Sequence, residues 1–248
     1  MAYYSAQDLS LEAEEIGVAI THGSLGAHLG LIYPTEDGDA KLLHLGWHKH
    51  LFVDDYPQQN WLATIVRIPP IASAQAVALI RGMADRYGNA NRPDGLDYGI
   101  NLFAGQGAIK GDGSYSPTAS CDGFTCASII AEILRQIGFQ LVALNTWVAA
   151  PKNEAWGRAI VCMLKATRTP DAHVAKVEGN INGLRLRPEE VAAAAELPIA
   201  SRPAIHQVLQ KRAEEILSQV FESCGPPPVA NPAIQPCLTR YQAELAQL

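Results

Sequence analysis

The stretch Ser120–Phe139, SCDGFTCASIIAEILRQIGF, places a cysteine where a loop of small residues runs into an apolar segment. Five apolar residues recur there at helical spacing, namely Ile129, Ile130, Ile133, Leu134 and Ile137. This pattern predicts an amphipathic helix that ends near Gly138. Cys126 then lies in the first turn, where unpaired N–H groups favour an anion, so we expect its thiol pKa to be lowered. Such a thiol is a candidate nucleophile if a histidine can reach it.

Two predicted strands upstream of this helix carry histidines. Ala27–Tyr33 (AHLGLIY) and Lys41–Trp47 (KLLHLGW) flank PTEDGD at 34–39, a strong turn signal, so they predict a hairpin. With a loop of about five residues, His28 falls directly opposite His44 on one face of the sheet. A slip of one residue would put them on opposite faces. A glycine two residues after each histidine leaves room for a close approach.

The composition excludes several classes of function. The chain has 248 residues, of which 48% are hydrophobic and 18% charged, which is typical of a globular protein with a sizeable core. The net charge of −6 and the absence of a basic run argue against a nucleic-acid partner. No apolar stretch reaches about 18 residues, so we expect no stable membrane insertion. The acidic N-terminal stretch is unlike a signal peptide, and five cysteines without framework spacing indicate a reducing compartment, so a cytoplasmic location is expected.

The remaining pattern predicts a mixed core followed by helices. Further strands are expected at 16–21, 61–68 and 140–147, a helix at 73–87, and a long functional loop at 89–123. Prolines at 151, 170, 188 and 203 are each suited to the start of a helix. We therefore predict a catalytic core over 1–150 and a helical extension packed on it over 151–224. Residues 225–248 are expected to form a proline-rich linker and a C-terminal helix, and the C-terminal helices could bind a protein partner.

Three residues have the chemistry of a thiol hydrolase. Such an enzyme needs a thiolate, an imidazole base and a group that orients the imidazole. The hypothesis assigns these roles to Cys126, His28 and His44 respectively. Backbone N–H groups at the start of the helix, together with the hydroxyls of Thr125 or Tyr98, are candidate donors to a developing oxyanion.

Other cysteines, histidines and tryptophans have alternative interpretations. Cys121 is an alternative nucleophile, but it lies five residues before the start of the predicted helix, so Cys126 is preferred. His44, His48 and His50 recur at even spacing, yet no CxxC or HExxH motif supports zinc, and we expect no metal or cofactor. Trp47 is expected in the wall of the site. The rest are interpreted as unpaired thiols (Cys162, Cys224 and Cys237) and as helix-surface histidines (His173 and His206).

The order of these motifs resembles that of the circularly permuted papain-like superfamily. The histidine strand AHLGLIY, the second histidine in LLHLGW and the later cysteine helix look like permuted NlpC-type peptidases and lecithin:retinol acyltransferase-like enzymes over about residues 14–147. CASIIAEILRQIGF is similar to the cysteine helix of NlpC-type proteins, although SCDGF is also similar to their cysteine motif and would make Cys121 the nucleophile.

The resemblance implies an α+β fold in which a papain-like antiparallel sheet packs on the cysteine helix. It also implies cleavage of an amide or isopeptide bond in a peptide, a protein or a peptidoglycan fragment. Two alternatives remain at this point. One is an acyltransferase or lipid deacylase, and the other is a non-catalytic binding module that keeps the papain-like shape.

Overall fold

The computed structural model describes residues 3–12, 14–89 and 92–248. These residues form an α+β fold with one six-stranded antiparallel sheet and seven α-helices, which confirms the predicted α+β class. The strands are β1 Tyr4–Ser5, β2 Gly17–Gly23, β3 Gly26–Pro34, β4 Ala40–Trp47, β5 His50–Asp55 and β6 Leu62–Ile65. Their order across the sheet is β1-β6-β2-β3-β4-β5. The helices are α1 Pro70–Tyr87, α2 Cys126–Gln136, α3 Pro151–Ala166, α4 Asp171–Glu178, α5 Pro188–Glu196, α6 His206–Ser223 and α7 Gln235–Leu245.

The strands differ from the predicted set in two places. The segment His50–Asp55 was not predicted as a strand, yet β5 forms the edge of the sheet beside β4. Conversely, Gln140–Trp147 is not a strand. Leu141 and Val142 are buried, but the backbone there makes only an isolated bridge from Val142 to Ala204. A short apolar run can be buried in a strand or beneath helices. Its composition alone therefore did not identify a strand.

The sheet separates two hydrophobic clusters. The main cluster contains one set of alternating strand residues, including Leu29, Leu31, Leu43 and Leu45, together with the buried side of α2. A smaller cluster on the other face contains Ala6, Ala19, Ile32, Leu42 and Ala63. Strand alternation therefore assigns His28 and His44 to the face of Ile32 and Leu42, away from α2.

Helix α5 belongs to the same core as the sheet. All nine of its residues are buried, and its alanines at 192–195 lie in the main cluster together with β2 and β3. Small side chains allow a helix to lie close against a sheet, and the alanine side chains add no polar group that would have to be buried. The boundary at residue 150 stays a prediction, but the two regions that it separates share one hydrophobic core.

The hairpin register differs from the predicted one by two residues. Leu31 pairs with Leu43 and Pro34 with Ala40, because the turn begins after Pro34 rather than at it. His44 therefore lies beside Gly30, where an added Cβ would be 3.2 Å from the His44 Cβ. A shift of two residues preserves the face of every side chain, so the two histidines still share one face.

The ladder between β3 and β4 is shorter than either strand. It joins Leu31–Pro34 to Ala40–Leu43, whereas residues 26–30 of β3 pair with β2 alone. The strands therefore separate towards the end that carries His28.

Cys162 and Cys237 form a disulfide that joins α3 to α7, so the interpretation of both as unpaired thiols was wrong. They are separated by 75 residues in sequence, and their spacing follows no framework pattern that would reveal the pairing. Disulfides persist mainly in oxidising compartments, so the cysteine count no longer supports a reducing one. Cys121, Cys126 and Cys224 are free and buried. Across the described ranges, every helix is too short or too polar to cross a membrane.

Replacing Gly30 with alanine should destabilise the protein. The new Cβ would lie 2.7 Å from Leu42 Cδ1 and 3.1 Å from the Leu43 carbonyl oxygen. We expect a loss of about 1–3 kcal/mol in the free energy of unfolding, measured by urea denaturation. Gly111→Ala is the matched control because its Cβ would enter open space. Equal stability of the two variants would contradict this interpretation of Gly30.

Candidate active site

Cys126 is the first residue of α2, as predicted, and the helix start is fixed by a reciprocal cap. The Ser128 N–H donates to Thr125 Oγ1 at 3.0 Å, and the Thr125 N–H donates to Ser128 Oγ at 2.8 Å. The Thr125 hydroxyl also donates to Ser128 Oγ at 3.3 Å. Thr125 therefore caps the helix that presents Cys126, and its hydroxyl is not free to serve as the expected oxyanion donor.

One cavity of about 770 Å³ brings most of the predicted site residues together. Its wall includes the predicted nucleophile, both predicted histidines and the three predicted neighbours, namely Cys126, His28, His44, Thr125, Tyr98 and Trp47. The wall also includes Pro226 and Ile234 from the proline-rich segment between α6 and α7, which sequence reasoning treated as a linker. This segment therefore contributes to the shape of the site.

His28, His44 and Asp54 form a relay, that is, a chain of hydrogen bonds between their side chains. His28 Nε2 lies 2.9 Å from His44 Nδ1, and His44 Nε2 lies 2.9 Å from Asp54 Oδ2. An ionised carboxylate only accepts hydrogen bonds, so the proton of a neutral His44 is on Nε2. His44 Nδ1 must then accept from His28 Nε2–H. It follows that the unprotonated nitrogen of a neutral His28 is Nδ1, which is the form of a base.

Burial keeps both rings neutral. Burial, together with the neighbouring His44, lowers the pKa of His28 to about 3. Burial also lowers the pKa of His44, although its hydrogen bond to Asp54 opposes this shift. At neutral pH the chain therefore consists of two uncharged imidazoles and one carboxylate, as the tautomer argument requires.

Asp54 was missed by sequence reasoning, although a signal for it was present. It lies on the unpredicted strand β5, in which Phe52 pairs with His44. Residues two apart on a strand share a face, so Asp54 faces the same side as Phe52 and His44. Assigning HLFVDD as a strand would have placed its carboxylate next to His44.

The expected lowering of the Cys126 pKa was wrong. The thiol is only 6% exposed, and burial raises its pKa to about 11 because the thiolate loses its hydration. The nearby Leu29 N–H and the charge of Arg185 oppose this rise without reversing it. The Leu29 contact places the sulfur beside the backbone of the residue that follows His28.

The sulfur and the histidines approach the same cavity from opposite faces of the sheet. Helix α2 packs on the face of Leu29 and Leu31, whereas the His28 ring lies 5.8 Å from that of Trp61 on the other face. Within the described residues, no hydrogen bond joins Cys126 Sγ to a histidine. The two groups meet only where the β3–β4 ladder has ended, so the expected thiol–imidazole contact is absent from the resting structure.

Cys121 lies outside this arrangement. It is 1% exposed, its sulfur is 3.8 Å from the Tyr115 hydroxyl, and burial raises its thiol pKa. It is absent from the cavity wall among the described residues. The geometry therefore separates the two candidate nucleophiles, because only the Cys126 thiol lines the cavity with the histidine chain.

Tyr98 and Trp47 pack together in the cavity wall. Their ring centroids lie 4.8 Å apart, and Trp47 Nε1 donates to Thr167 Oγ1 at 3.1 Å. Burial raises the pKa of Tyr98, so its hydroxyl stays protonated and can still donate a hydrogen bond. Both residues therefore lie where they were expected.

A second histidine cluster lies outside the relay. His48, Asp97 and His173 offer ligand atoms within 4.8 Å of one another, which makes them the residues most suited to a metal ion. However, Lys49 Nζ lies 2.8 Å from Asp97 Oδ1, and the Tyr115 hydroxyl donates to Asp97 Oδ2 at 3.0 Å. A cation would have to displace an ammonium group that already pairs with this carboxylate.

The interpretation of His173 and His206 as surface histidines was also wrong. His173 Nε2 bonds to the Tyr98 carbonyl oxygen at 2.9 Å, and His206 Nε2 lies 3.2 Å from Glu190 Oε1. Neither pairing is visible in the sequence, because the partners lie far away along the chain.

The buried histidines should make the protein sensitive to acid. A histidine whose folded-state pKa is below its unfolded value of about 6.5 is protonated more readily in the unfolded chain, so the free energy of unfolding falls as pH drops below that value. For His28, with a folded pKa of about 3, the loss should approach about 1.4 kcal/mol per pH unit. Urea denaturation at about pH 7 and about pH 5 measures it. His28→Asn cannot titrate and should lose less between the two conditions, and an equal loss would contradict the argument.

Asp54→Asn should reverse the tautomers of the relay. The asparagine amide can donate to His44 Nε2, which would move the His44 proton to Nδ1 and the His28 proton from Nε2 to Nδ1. Nitrogen-15 chemical shifts of the histidine side chains distinguish these forms. We expect an unprotonated Nδ1 on His28 in the native protein and a protonated Nδ1 in the variant. A native protein in which His28 Nδ1 carries the proton would refute the derivation.

Comparison with known proteins adds no information about this site. No family model, curated protein or solved structure matches the chain. The papain-like resemblance therefore rests on the histidine strands and the cysteine helix of this sequence alone, and a function has to be inferred from the geometry of the cavity.

Proposed function

We propose that this protein is a cysteine-dependent hydrolase that cleaves an amide or isopeptide bond. Cys126 is the nucleophile, His28 is the base, and His44 and Asp54 position His28. The observation that carries the proposal is the hydrogen-bond chain from Asp54 to His28, which leaves an unprotonated nitrogen on a histidine that lines the same cavity as Cys126. The resemblance to permuted papain-like enzymes supports the same assignment.

The reaction begins from a neutral thiol and a neutral imidazole. As the Cys126 sulfur bonds to the substrate carbonyl carbon, its proton passes to His28 Nδ1. The C–N bond then breaks, and the same proton passes to the leaving amine, which leaves a thioester. Water attacks the thioester while His28 takes its proton, and the proton returns to the sulfur as the C–S bond breaks. Contacts of this kind are often long in an unliganded enzyme and shorten when substrate binds.

Groups near Cys126 are suited to stabilise the tetrahedral intermediate. The first N–H groups of an α-helix have no partner inside the helix, which leaves those of Cys126 and Ala127 free for an oxyanion. The protonated hydroxyl of Tyr98, in the same wall, is a further donor.

A peptide, a protein or a peptidoglycan fragment is the substrate class that this proposal includes. The cytoplasmic location expected from the sequence stays a prediction, and the Cys162–Cys237 disulfide favours an oxidising environment instead. The cavity volume of about 770 Å³ can hold a substrate of several side chains.

A second candidate function is acyl transfer or lipid deacylation. One wall of the cavity is apolar and comes from α3 and the segment before α7, with Trp156, Ile160, Met163 and Ile234. An acyl chain could pack against this apolar wall. Preferential turnover of long-chain esters over peptides would favour this alternative.

Trapping an acyl intermediate tests the nucleophile directly. The native protein is treated briefly with p-nitrophenyl acetate, and acetylated cysteines are located by peptide mass spectrometry. We expect acetylation of Cys126, no product in Cys126→Ala, and a rate lowered about 10²–10⁴-fold in His28→Ala. The matched control is His50→Ala, since His50 lines the cavity but lies outside the relay, and it should react at the native rate. Panels of peptides and esters then identify the bond.

Three outcomes would argue against the proposal. Acetylation at Cys121 would assign the nucleophile to Cys121 instead of Cys126. An equal rate of acetylation in the native protein and in His28→Ala would show that His28 is not the base. Uniformly slow acetylation of a folded protein would favour the non-catalytic binding module.

A further inference from the structure

Arg185 lies in the wall of the cavity that Cys126 lines, and it lacks the partner that a shielded cation usually has. Its Nε is shielded from solvent and has no hydrogen-bond partner in the part of the chain that the structure describes. Among the described residues, no carboxylate oxygen lies within 4.0 Å of its guanidinium nitrogens. The side chain is partly buried, and polar atoms shielded from water are normally hydrogen-bonded, so the unsatisfied Nε retains capacity for an anion.

The groups that contact Arg185 hold it without neutralising its charge. The guanidinium carbon lies 3.8 Å from the centroid of the Trp156 ring, a cation–π contact. The Tyr241 phenol is a second neighbour, and its interaction with Arg185 opposes the rise that burial causes in the Tyr241 pKa. The Trp156 ring is uncharged, and the protonated Tyr241 phenol carries no negative charge.

Among acidic groups, Glu189 has the largest effect on the Arg185 pKa, yet it makes no ion pair with Arg185 within 4.0 Å among the described residues. Glu189 Oε1 lies 3.6 Å from Arg187 Nε, and burial raises the pKa of its carboxyl. Burial likewise lowers the pKa of Arg185, because its charge is poorly solvated. An anion that entered the cavity would therefore relieve an existing electrostatic cost.

The charge of Arg185 is felt at the nucleophile. Arg185 and Cys126 line the same cavity, and the Arg185 charge opposes the rise that burial causes in the Cys126 pKa. A ligand held by the guanidinium would therefore share this cavity with the sulfur.

We propose that Arg185 binds a carboxylate of the substrate, so that the preferred amides carry a free carboxylate close to the scissile bond. This statement rests on the proposed function for the existence of a scissile bond, but the anion site itself does not. The N–H donors of a guanidinium form a planar fork that matches the two oxygens of a carboxylate.

Two alkylating reagents of similar size that differ in charge test this assignment without any hydrolysis. Iodoacetate carries a carboxylate, whereas iodoacetamide is its neutral counterpart of similar size. The rates at which each modifies Cys126 are measured at low ionic strength by peptide mass spectrometry. We expect the iodoacetate-to-iodoacetamide rate ratio of the native protein to exceed that of Arg185→Gln by about tenfold. Arg86→Gln removes the same charge from an exposed ion pair outside the cavity wall and should keep the native ratio.

Protection of the native protein provides a second measurement that needs no variant. N-acetylglycine should slow the reaction of Cys126 with iodoacetamide, and N-acetylglycinamide should not. Stronger protection by inorganic phosphate than by N-acetylglycine would overturn the assignment to a carboxylate. An unchanged ratio in folded Arg185→Gln, or equal protection by both glycine derivatives, would overturn the proposal.

The proposal about Arg185 would also be overturned if neither iodoacetate nor iodoacetamide modified Cys126 in the folded protein, since a site open to a carboxylate is open to these small molecules. A different outcome would contradict the proposed hydrolase but not the anion site. In that outcome Cys126 is alkylated with the expected iodoacetate-to-iodoacetamide ratio but is not acetylated by p-nitrophenyl acetate.

Discussion

The candidate site depends on the point at which the ladder between β3 and β4 stops. Pairing ends at Leu31 and Leu43, and beyond it residues 26–30 of β3 pair with β2 alone, which leaves the Leu29 N–H near the Cys126 sulfur. Had the ladder continued, strand hydrogen bonds would have closed the gap between the two faces of the sheet. The helix that presents the thiol and the strands that present the histidines would then have no common cavity.

A second constraint acts on protons rather than on the backbone. Asp54 is the one member of the relay that carries a charge, and it determines which nitrogen of each imidazole is protonated. Two hydrogen bonds thereby carry the influence of a half-exposed carboxylate to His28, whose pKa burial holds far below neutrality. A neutral base is matched to a neutral thiol, so catalysis would proceed by proton transfer as the substrate reacts and not from a preformed ion pair.

Sequence patterns predicted the parts of the site that depend on local periodicity. Alternation placed His28 and His44 on one face even though the register was wrong by two residues, and helical spacing placed Cys126 at a helix start. The same patterns failed where distance along the chain mattered. The partners of His173 and the Cys162–Cys237 pair come from elements that meet only in the folded core, and the Cys126 pKa depends on burial that helix position does not reveal.

The disulfide between α3 and α7 also changes how the chain would respond to proteolysis. The proline-rich segment around residues 226–231 is partly exposed and walls the cavity, and loops of this kind are where proteases cut first. A cut there would yield two polypeptides that stay joined through Cys162 and Cys237, with α7 still docked on α3. A protein cut in this segment would therefore be a two-chain form with an opened cavity rim, and only a reductant would release the shorter chain.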